Sequence, residues 1–164
     1  MARTVLLGNS GSGKSTLAAR LASASGQPHL DLDTLAWEPE PPPRRRPLAD
    51  STRDVADFTA GDVWVIEGCY ADLLAAALAR CTRLVFLNPG IEACVANAMS
   101  RPWEPHKYPS KAAQDANLEM LLAWIRDYQT RTDVFSLSAH RALFDGFAGD
   151  KVELVSREAI AAFR

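Results

Sequence analysis

Near its amino terminus the chain reads Gly8-Asn9-Ser10-Gly11-Ser12-Gly13-Lys14-Ser15, which matches the pattern G-x-x-x-x-G-K-[S/T] of a phosphate-binding loop. Its glycines allow a tight concave turn whose N–H groups point at phosphate oxygens. Lys14 is placed to reach the β- and γ-phosphates, and the Ser15 hydroxyl is placed to hold Mg²⁺. The segment predicts a nucleoside triphosphate site with contacts from Gly8, Ser10, Gly11, Ser12, Gly13, Lys14, Ser15 and Thr16.

The flanking sequence supplies the context that this loop requires, which is a strand before it and a helix after it. Residues Thr4–Leu7 are an apolar run typical of a buried strand in a parallel sheet. Apolar residues then recur at helical spacing from Leu17 to Ala22, and Gly26 is a stop signal. The positive end of this helix adds to the attraction for phosphate.

Composition limits the classes of protein to which the chain can belong. Its 164 residues, 48% of them hydrophobic and 23% charged, are enough for one domain with its own core. No stretch approaches the roughly 20 apolar residues of a membrane span, and the net charge of −2 offers no field for nucleic acid. We expect a cytoplasmic monomer or homodimer that binds neither membrane nor nucleic acid. The scattered cysteines and histidines lack metal-ligand spacing.

Strand-like and helix-like segments alternate along the chain, which predicts an α/β fold with a five-stranded parallel sheet covered on both faces by helices. The expected strands are 4–7, 28–33, 63–68, 83–87 and 151–156. The expected later helices are 72–80, 91–100, 118–128, 138–144 and 157–163. Two segments, 38–47 and 101–111, are rich in proline and are predicted to be irregular.

Several motifs resemble those of the adenylate-kinase-like group of small P-loop kinases, and most closely the adenylate-kinase-related proteins labelled DNA topology modulation proteins. The shared stretches are Gly11–Leu17, Leu32–Trp37, Trp64–Tyr70 and the helix 124–131. Shikimate and gluconate kinases are similar at a greater distance. The resemblance implies a three-layer α/β/α P-loop NTPase fold, ATP and Mg²⁺ as cofactors, and one domain over 1–164. It further implies an acceptor-binding insert at about 34–61 and a lid at about 101–114.

The chain departs from these relatives in two places. The group more often has Asp-Gly-Asn-Tyr where this sequence has Glu67-Gly68-Cys69-Tyr70. Shikimate kinases share the Asp-x-Asp formed here by Asp31 and Asp33, but they carry a glycine triplet after the third strand that this chain lacks. A shikimate substrate is therefore not expected.

Carboxylates follow two of the predicted strands at the sheet edge where α/β proteins bind ligands. Asp31 and Asp33 are expected on one face of a strand because side chains alternate with period two. Asp33 is the candidate for aligning the acceptor and, with Ser15, for binding Mg²⁺ through water; the alternative is a helix-capping Asp. The full set of expected acceptor contacts is Asp31, Asp33, Trp37, Glu67, Gly68 and Tyr70. Glu67 is otherwise a solvated strand-end residue, and the two aromatics otherwise pack at the core edge.

Cations in and after the predicted lid are candidates for clamping the transferring phosphoryl group, because guanidinium matches phosphate geometry. Among Arg101, Lys107, Lys111, Arg126 and Arg131, the resemblance favours Arg101 and Arg131 as catalytic. Arg157 follows the fifth strand, where similar kinases hold the nucleotide base. The run Arg44–Arg46 is either an acceptor contact or a solvated charge cluster.

These observations predict ATP-dependent phosphoryl transfer to a small-molecule acceptor such as a nucleotide, a nucleoside or a similar metabolite. Catalysis would depend on Lys14, Asp33, Arg101 and Arg131. The alternative is an ATP-binding regulatory P-loop protein with weak NTPase activity that acts on DNA or a protein partner. A non-specific NTPase that has lost its acceptor site is a third hypothesis.

Overall fold

The computed structural model describes residues 2–164 and contains one five-stranded, fully parallel sheet. Its strands are β1 (Arg3–Gly8), β2 (His29–Asp31), β3 (Trp64–Gly68), β4 (Arg83–Leu87) and β5 (Asp150–Leu154). The strand order is β2-β3-β1-β4-β5, so the strand that leads into the phosphate-binding loop is central. The predicted α/β fold with a five-stranded parallel sheet is confirmed.

Nine helices surround the sheet in the described part of the chain. The first five are α1 (Lys14–Ser25), α2 (Asp33–Ala36), α3 (Leu48–Phe58), α4 (Ala71–Leu78) and α5 (Ile91–Met99). The others are α6 (Lys111–Ala116), α7 (Leu118–Arg126), α8 (Leu137–Gly146) and α9 (Arg157–Ala162), and a 3-10 turn at Asp127–Gln129 follows α7. None of these helices has the length and apolarity needed to cross a bilayer.

Alternating side chains of the central strand divide the core into two layers. Val5 and Leu7 pack in a cluster with residues of α3 and α4, whereas Leu6 packs on the opposite face with Leu17 and Ala18 of α1. All three strand residues are fully buried. A sheet buried on both faces explains why its strands are nearly continuous apolar runs.

The segments 38–47 and 101–110 contain no helix, as predicted. Each is followed by a helix that was not predicted, α3 and α6, because the prolines nearby dominate the local pattern. β2 ends at Asp31, and Asp33 is the first residue of α2. The expectation that strand alternation places Asp31 and Asp33 on one face is therefore wrong.

Two arginines of the segment 38–47 pair with carboxylates of neighbouring helices. Arg45 contacts both carboxylate oxygens of Asp72 at 3.1 and 3.2 Å, and its guanidinium lies 5.0 Å from the centre of the Tyr70 ring. Arg46 donates to Asp54 at 2.9 Å. Arg45 and Arg46 are therefore paired with carboxylates and are not free surface charges.

A buried histidine connects three elements behind the sheet edge. His140 of α8 is fully buried; its Nε2 lies 2.7 Å from the carbonyl oxygen of Cys69, and its Nδ1 lies 2.6 Å from the Tyr128 hydroxyl. A carbonyl only accepts, so Nε2 carries the proton and Tyr128 donates to Nδ1. Burial lowers the pKa of His140 to about 4.

We expect this histidine to make the fold acid-sensitive. Its pKa is about 4 in the folded chain and 6.5 ordinarily, so the unfolded chain binds more protons between these values. The contribution of neutral His140 is full above pH 6.5 and is lost as pH falls toward 4, by roughly 2–3 kcal/mol. His140→Gln keeps a donor and an acceptor but cannot titrate. Urea unfolding at several pH values should show the stability gap between wild type and this variant narrowing toward pH 4, whereas a constant gap would contradict the assignment.

Candidate active site

One cavity of about 570 Å³ lies along the carboxyl edge of the sheet. Its walls come from the phosphate-binding loop and α1, the ends of β2 and β3, the end of α5, the lid and the start of α9. It is lined by the predicted residues Ser10, Gly11, Ser12, Gly13, Lys14, Ser15, Thr16, Asp31, Asp33, Glu67, Gly68, Arg101 and Arg157. The structure therefore brings most of the predicted site residues to one place.

The phosphate-binding loop has the left-handed backbone conformation that its glycines permit. Gly11 and Gly13 have φ values of +76° and +99°, in the left-handed region. A Cβ on Gly11 would also collide with the carbonyl oxygen of Cys94 in α5. Asn97 of the same helix donates its side-chain N–H to the Gly11 carbonyl at 2.8 Å and so fixes the loop from outside.

Two polar groups of the loop are held ready within the cavity. Lys14 is buried and donates from Nζ to the backbone carbonyl of Asn9 at 2.8 Å. Ser12 is 1% exposed, and its hydroxyl has no hydrogen-bond partner among residues 2–164. A buried hydroxyl without a partner is costly, so this site fits a ligand that carries acceptor oxygens.

Glu67 stands beside the serine that was predicted to bind Mg²⁺. Ser15 donates to Glu67 Oε1 at 2.6 Å, and His29 Nε2 lies 3.8 Å from the same oxygen. Burial alone would raise the pKa of Glu67, but polar contact with His29, the charge of Lys14 and the Ser15 hydrogen bond together lower it. Glu67 is therefore a carboxylate at neutral pH.

The donor set at this point fits Mg²⁺, which takes oxygen ligands. Ser15 and Glu67 supply a hydroxyl and a carboxylate side by side. Residues 2–164 contain no group of three or more His, Cys, Asp or Glu that could hold a metal without other ligands. Mg²⁺ usually keeps several waters and binds together with substrate phosphates. Asp33, the other predicted Mg²⁺ residue, contacts Tyr70 and Lys107 instead.

The two aspartates meet through a turn at the end of β2. The backbone N–H of Asp33 donates to Asp31 Oδ1 at 2.9 Å, the local hydrogen bond that such Asp turns make. Lys107 lies 3.0 Å from Asp33 Oδ2 and 3.8 Å from Asp31 Oδ2. The segment that was predicted to be a lid therefore contacts both carboxylates through this residue.

The two aspartates differ in charge behaviour. Burial, together with the charges of Glu67 and Asp33, raises the pKa of Asp31 to about 6. Burial would also raise the pKa of Asp33, but the Lys107 ammonium and the hydrogen bonds from Tyr70 and Lys107 outweigh it and lower that pKa. Asp33 is ionised at neutral pH and is held by two donors, so it can accept a hydrogen bond from an acceptor hydroxyl in a fixed position.

Trp37 and Tyr70 lie behind Asp33 and do not line the cavity. Tyr70 is buried and donates to Asp33 Oδ1 at 2.5 Å, while Trp37 Nε1 donates to the Tyr70 hydroxyl at 2.8 Å. The Tyr70 ring packs edge-to-face on Phe135, with ring centres 5.2 Å apart. The Tyr70 hydroxyl thus holds Asp33, and the Trp37 side chain, which is 38% exposed, holds that hydroxyl.

Close packing against Leu32 explains why a glycine occupies position 68. A Cβ at this position would lie 2.9 Å from two side-chain carbons of Leu32, the residue between the two aspartates. The glycine therefore allows the β2 turn to lie close against the end of β3.

The lid cations are distributed differently from the prediction. Arg101 lines the cavity and lies 3.3 Å from Glu104. Arg131 is outside the cavity: it donates to the carbonyl of Trp124 at 2.6 Å and stacks on that ring at 3.4 Å from its centre. Neither Arg126 nor Lys111 lines the cavity, and Lys111 is paired with Asp115. The position of Arg131 outside the cavity does not agree with the catalytic role that the resemblance favoured.

Four further side chains contribute that the sequence reasoning missed, namely His29, Asn97, Glu104 and Arg20. Arg20 lines the cavity near Arg157 and donates to three carbonyls at the end of α9, those of Ile160, Ala161 and Phe163. Only long-range packing brings these residues in, so no local motif marks them. Glu104, three residues before the lid cation Lys107, is the one that charge spacing could have suggested.

Comparisons with known proteins support the fold. No family model matches the chain, and no curated protein matches it. A sugar kinase from a Janibacter species matches with a TM-score of 0.52 and 16% identity, over 96% of this chain and 89% of that one. A gluconokinase from Sinorhizobium meliloti matches with a TM-score of 0.50 and 18% identity over the same shares. A shikimate kinase from Acinetobacter baumannii, solved with shikimate, gives 0.48 and 18% over 87% and 91%. The link to DNA topology modulation proteins has no support among these structures.

We expect Asp31→Asn to stabilise the ligand-free protein. Asparagine keeps an oxygen for the Asp33 N–H but removes a charge that is repelled in the fold. The folded pKa is above the ordinary one, so ionised Asp31 destabilises the fold above pH 6 and not below pH 4. Urea unfolding at pH 7.5 should show a gain of about 1–3 kcal/mol that disappears toward pH 4. Asp33→Asn is the control and should lose stability at pH 7.5; a loss in Asp31→Asn as well would contradict the assignment.

We expect Tyr70→Phe to raise the pKa of Asp33, because it removes a donor that favours the ionised carboxylate. Titration of the Asp33 carboxyl carbon by NMR measures the shift. Trp37→Phe is the matched control, since it leaves the Tyr70 donor in place and should shift the Asp33 pKa less. Equal shifts in the two variants would show that Tyr70 does not act through its hydroxyl.

Proposed function

We propose that the protein transfers the γ-phosphoryl group of ATP to a hydroxyl of a small-molecule acceptor. The observation that carries this proposal is the shared cavity, in which the phosphate-binding loop and the ionised Asp33 face the same space. A protein that only bound ATP would not require a positioned carboxylate beyond the phosphates. The proposal treats the chain as one domain, with 34–61 as acceptor-binding insert and 101–114 as lid.

Binding of ATP, the phosphoryl donor, would depend on the phosphate-binding loop and α1. The loop N–H groups, the Ser12 hydroxyl and the Lys14 ammonium would hold the phosphates and offset the charge that develops during transfer. Ser15 and Glu67 would hold Mg²⁺, which when bound neutralises the β- and γ-phosphate oxygens. Arg157 lines the cavity and would contact the base. ATP is preferred because the chain has no Asn-Lys-x-Asp guanine motif.

The acceptor half depends on Asp33. The acceptor oxygen forms a bond to the γ-phosphorus while the bond from that phosphorus to the β-bridging oxygen breaks, and ADP leaves with the electron pair. The acceptor proton passes to Asp33, whose lowered pKa keeps it ionised beforehand. Arg101 lies in the cavity wall and is the lid arginine that can approach the transferring group. ATP as the donor fits a cytoplasmic enzyme.

We expect two substitutions to separate binding from transfer. Lys14→Ala should weaken both ATP binding and turnover, whereas Asp33→Asn should retain ATP binding and slow transfer at least about tenfold. Calorimetric ATP titration and ADP release with a panel of hydroxyl acceptors measure the two effects.

The matched controls are Lys111→Ala and Asp115→Asn, which remove the same groups from an exposed pair outside the cavity. Both should behave like the wild type. If no acceptor stimulates ADP release and DNA does, the kinase proposal fails in favour of a regulatory NTPase. Unchanged turnover in Asp33→Asn would remove Asp33 from the chemistry.

A further inference from the structure

Charge is distributed unevenly along the cavity, and the sheet order sets its direction. β2 and β3 lie on one side of the central β1 and its loop, and β5 lies on the other. Asp31, Asp33 and Glu67 come from the ends of β2 and β3, whereas Arg157 follows β5. The acceptor side of the phosphate-binding loop is therefore the acidic side.

The cation on this acidic side is already shared by several carboxylates. Lys107 lies 3.0 Å from Asp33, 3.8 Å from Asp31 and 3.7 Å from Glu104. Lys107 thus faces three carboxylates, of which Glu104 is also paired with Arg101. Glu67, on which the Lys14 charge acts, adds a fourth carboxylate beside Asp31, with which it is paired in the sheet register. The raised pKa of Asp31, caused by burial and then by Glu67 and Asp33, is consistent with this excess of negative charge.

The remaining cations are committed or lie toward the donor phosphates. Arg101 follows α5, whose Asn97 is bonded to the phosphate-binding loop, and its guanidinium is paired with Glu104. In the insert, Arg45 and Arg46 are paired with Asp72 and Asp54 and do not line the cavity. Within residues 2–164, the acceptor side therefore lacks an uncommitted cation that could bind an anionic group.

On the premise of the proposed phosphoryl transfer, we infer that the acceptor is a neutral or cationic hydroxyl compound that carries no phosphate or carboxylate group. An anionic group on the acidic side would be repelled by Asp31 and Asp33 unless Lys107 left its three carboxylates. A hydroxyl group, in contrast, donates to these carboxylates, and an ammonium group pairs with them.

This inference narrows the substrate class. It favours nucleosides, sugars, sugar alcohols and amino alcohols or amino sugars as acceptors. It excludes nucleoside monophosphates and sugar acids, although both are hydroxyl-bearing. Anionic compounds would be rejected because the carboxylates of the site repel them, and no additional contacts to the neutral or cationic acceptor are needed.

Pairs of acceptors that are similar in structure but differ in charge test the inference. Suitable pairs are adenosine with its monophosphate, glucitol with gluconate, and glucosamine with glucuronate, each supplied with Mg-ATP and assayed for ADP release. In a pair that turns over, kcat/KM for the neutral or cationic member should exceed that of the anionic member at least about 100-fold. Asp31→Asn should reduce this ratio at least about tenfold, whereas Asp115→Asn on the exposed pair should leave it unchanged.

Turnover of anionic members in preference to their partners would overturn the inference and leave the proposed function intact. If no member turns over, the proposed function fails, and calorimetric binding of the same pairs with a non-hydrolysable ATP analogue decides the inference separately. Tighter binding of neutral or cationic members supports it. Tighter binding of anionic members, or binding of none, overturns it.

Discussion

The parallel pairing of β1 with β3 is the constraint on which the site depends. Its register places Leu6 opposite Glu67, so the phosphate-binding loop that follows β1 begins next to a buried carboxylate. β3 pairs in turn with β2, which brings Asp31 level with Glu67. Backbone hydrogen bonds of the sheet thus hold several like charges at one edge, and the apolar core on both faces supplies the stability that offsets their repulsion.

Hydrogen-bond donors and cations stabilise two of these carboxylates in the ionised form. Ser15 and Lys14 act on Glu67, and Lys107 with Tyr70 acts on Asp33, so both carboxylates are ionised despite their burial. Asp31 has only the backbone N–H of Asp33 as a close donor, and its pKa is raised. A ligand that donates to Asp31 would stabilise its ionised form, and ionisable groups with perturbed pKa values in a cavity are typical of functional sites.

The sequence was sufficient for the central elements and insufficient for those that depend on distant packing. The strand, loop and helix around Lys14 could be predicted because a local motif and local periodicity specify them. The role of Tyr70 could not, because its hydrogen bond to Asp33 spans the fold between β2 and α4. Arg131 was expected to be catalytic because of the resemblance, but it stacks on Trp124 outside the cavity. Asp33 reached the cavity for a reason other than the predicted one, through a turn and not through strand alternation.

The destination of the γ-phosphoryl group tests the central claim most directly. ATP labelled with a heavy oxygen isotope in that group would be incubated with the protein and a pool of neutral and cationic hydroxyl compounds, and the products analysed by mass spectrometry. The account predicts labelled phosphate ester in an organic acceptor with the wild type and a strong decrease of that ester with Asp33→Asn. Label found only in inorganic phosphate, equally with both proteins, would contradict it.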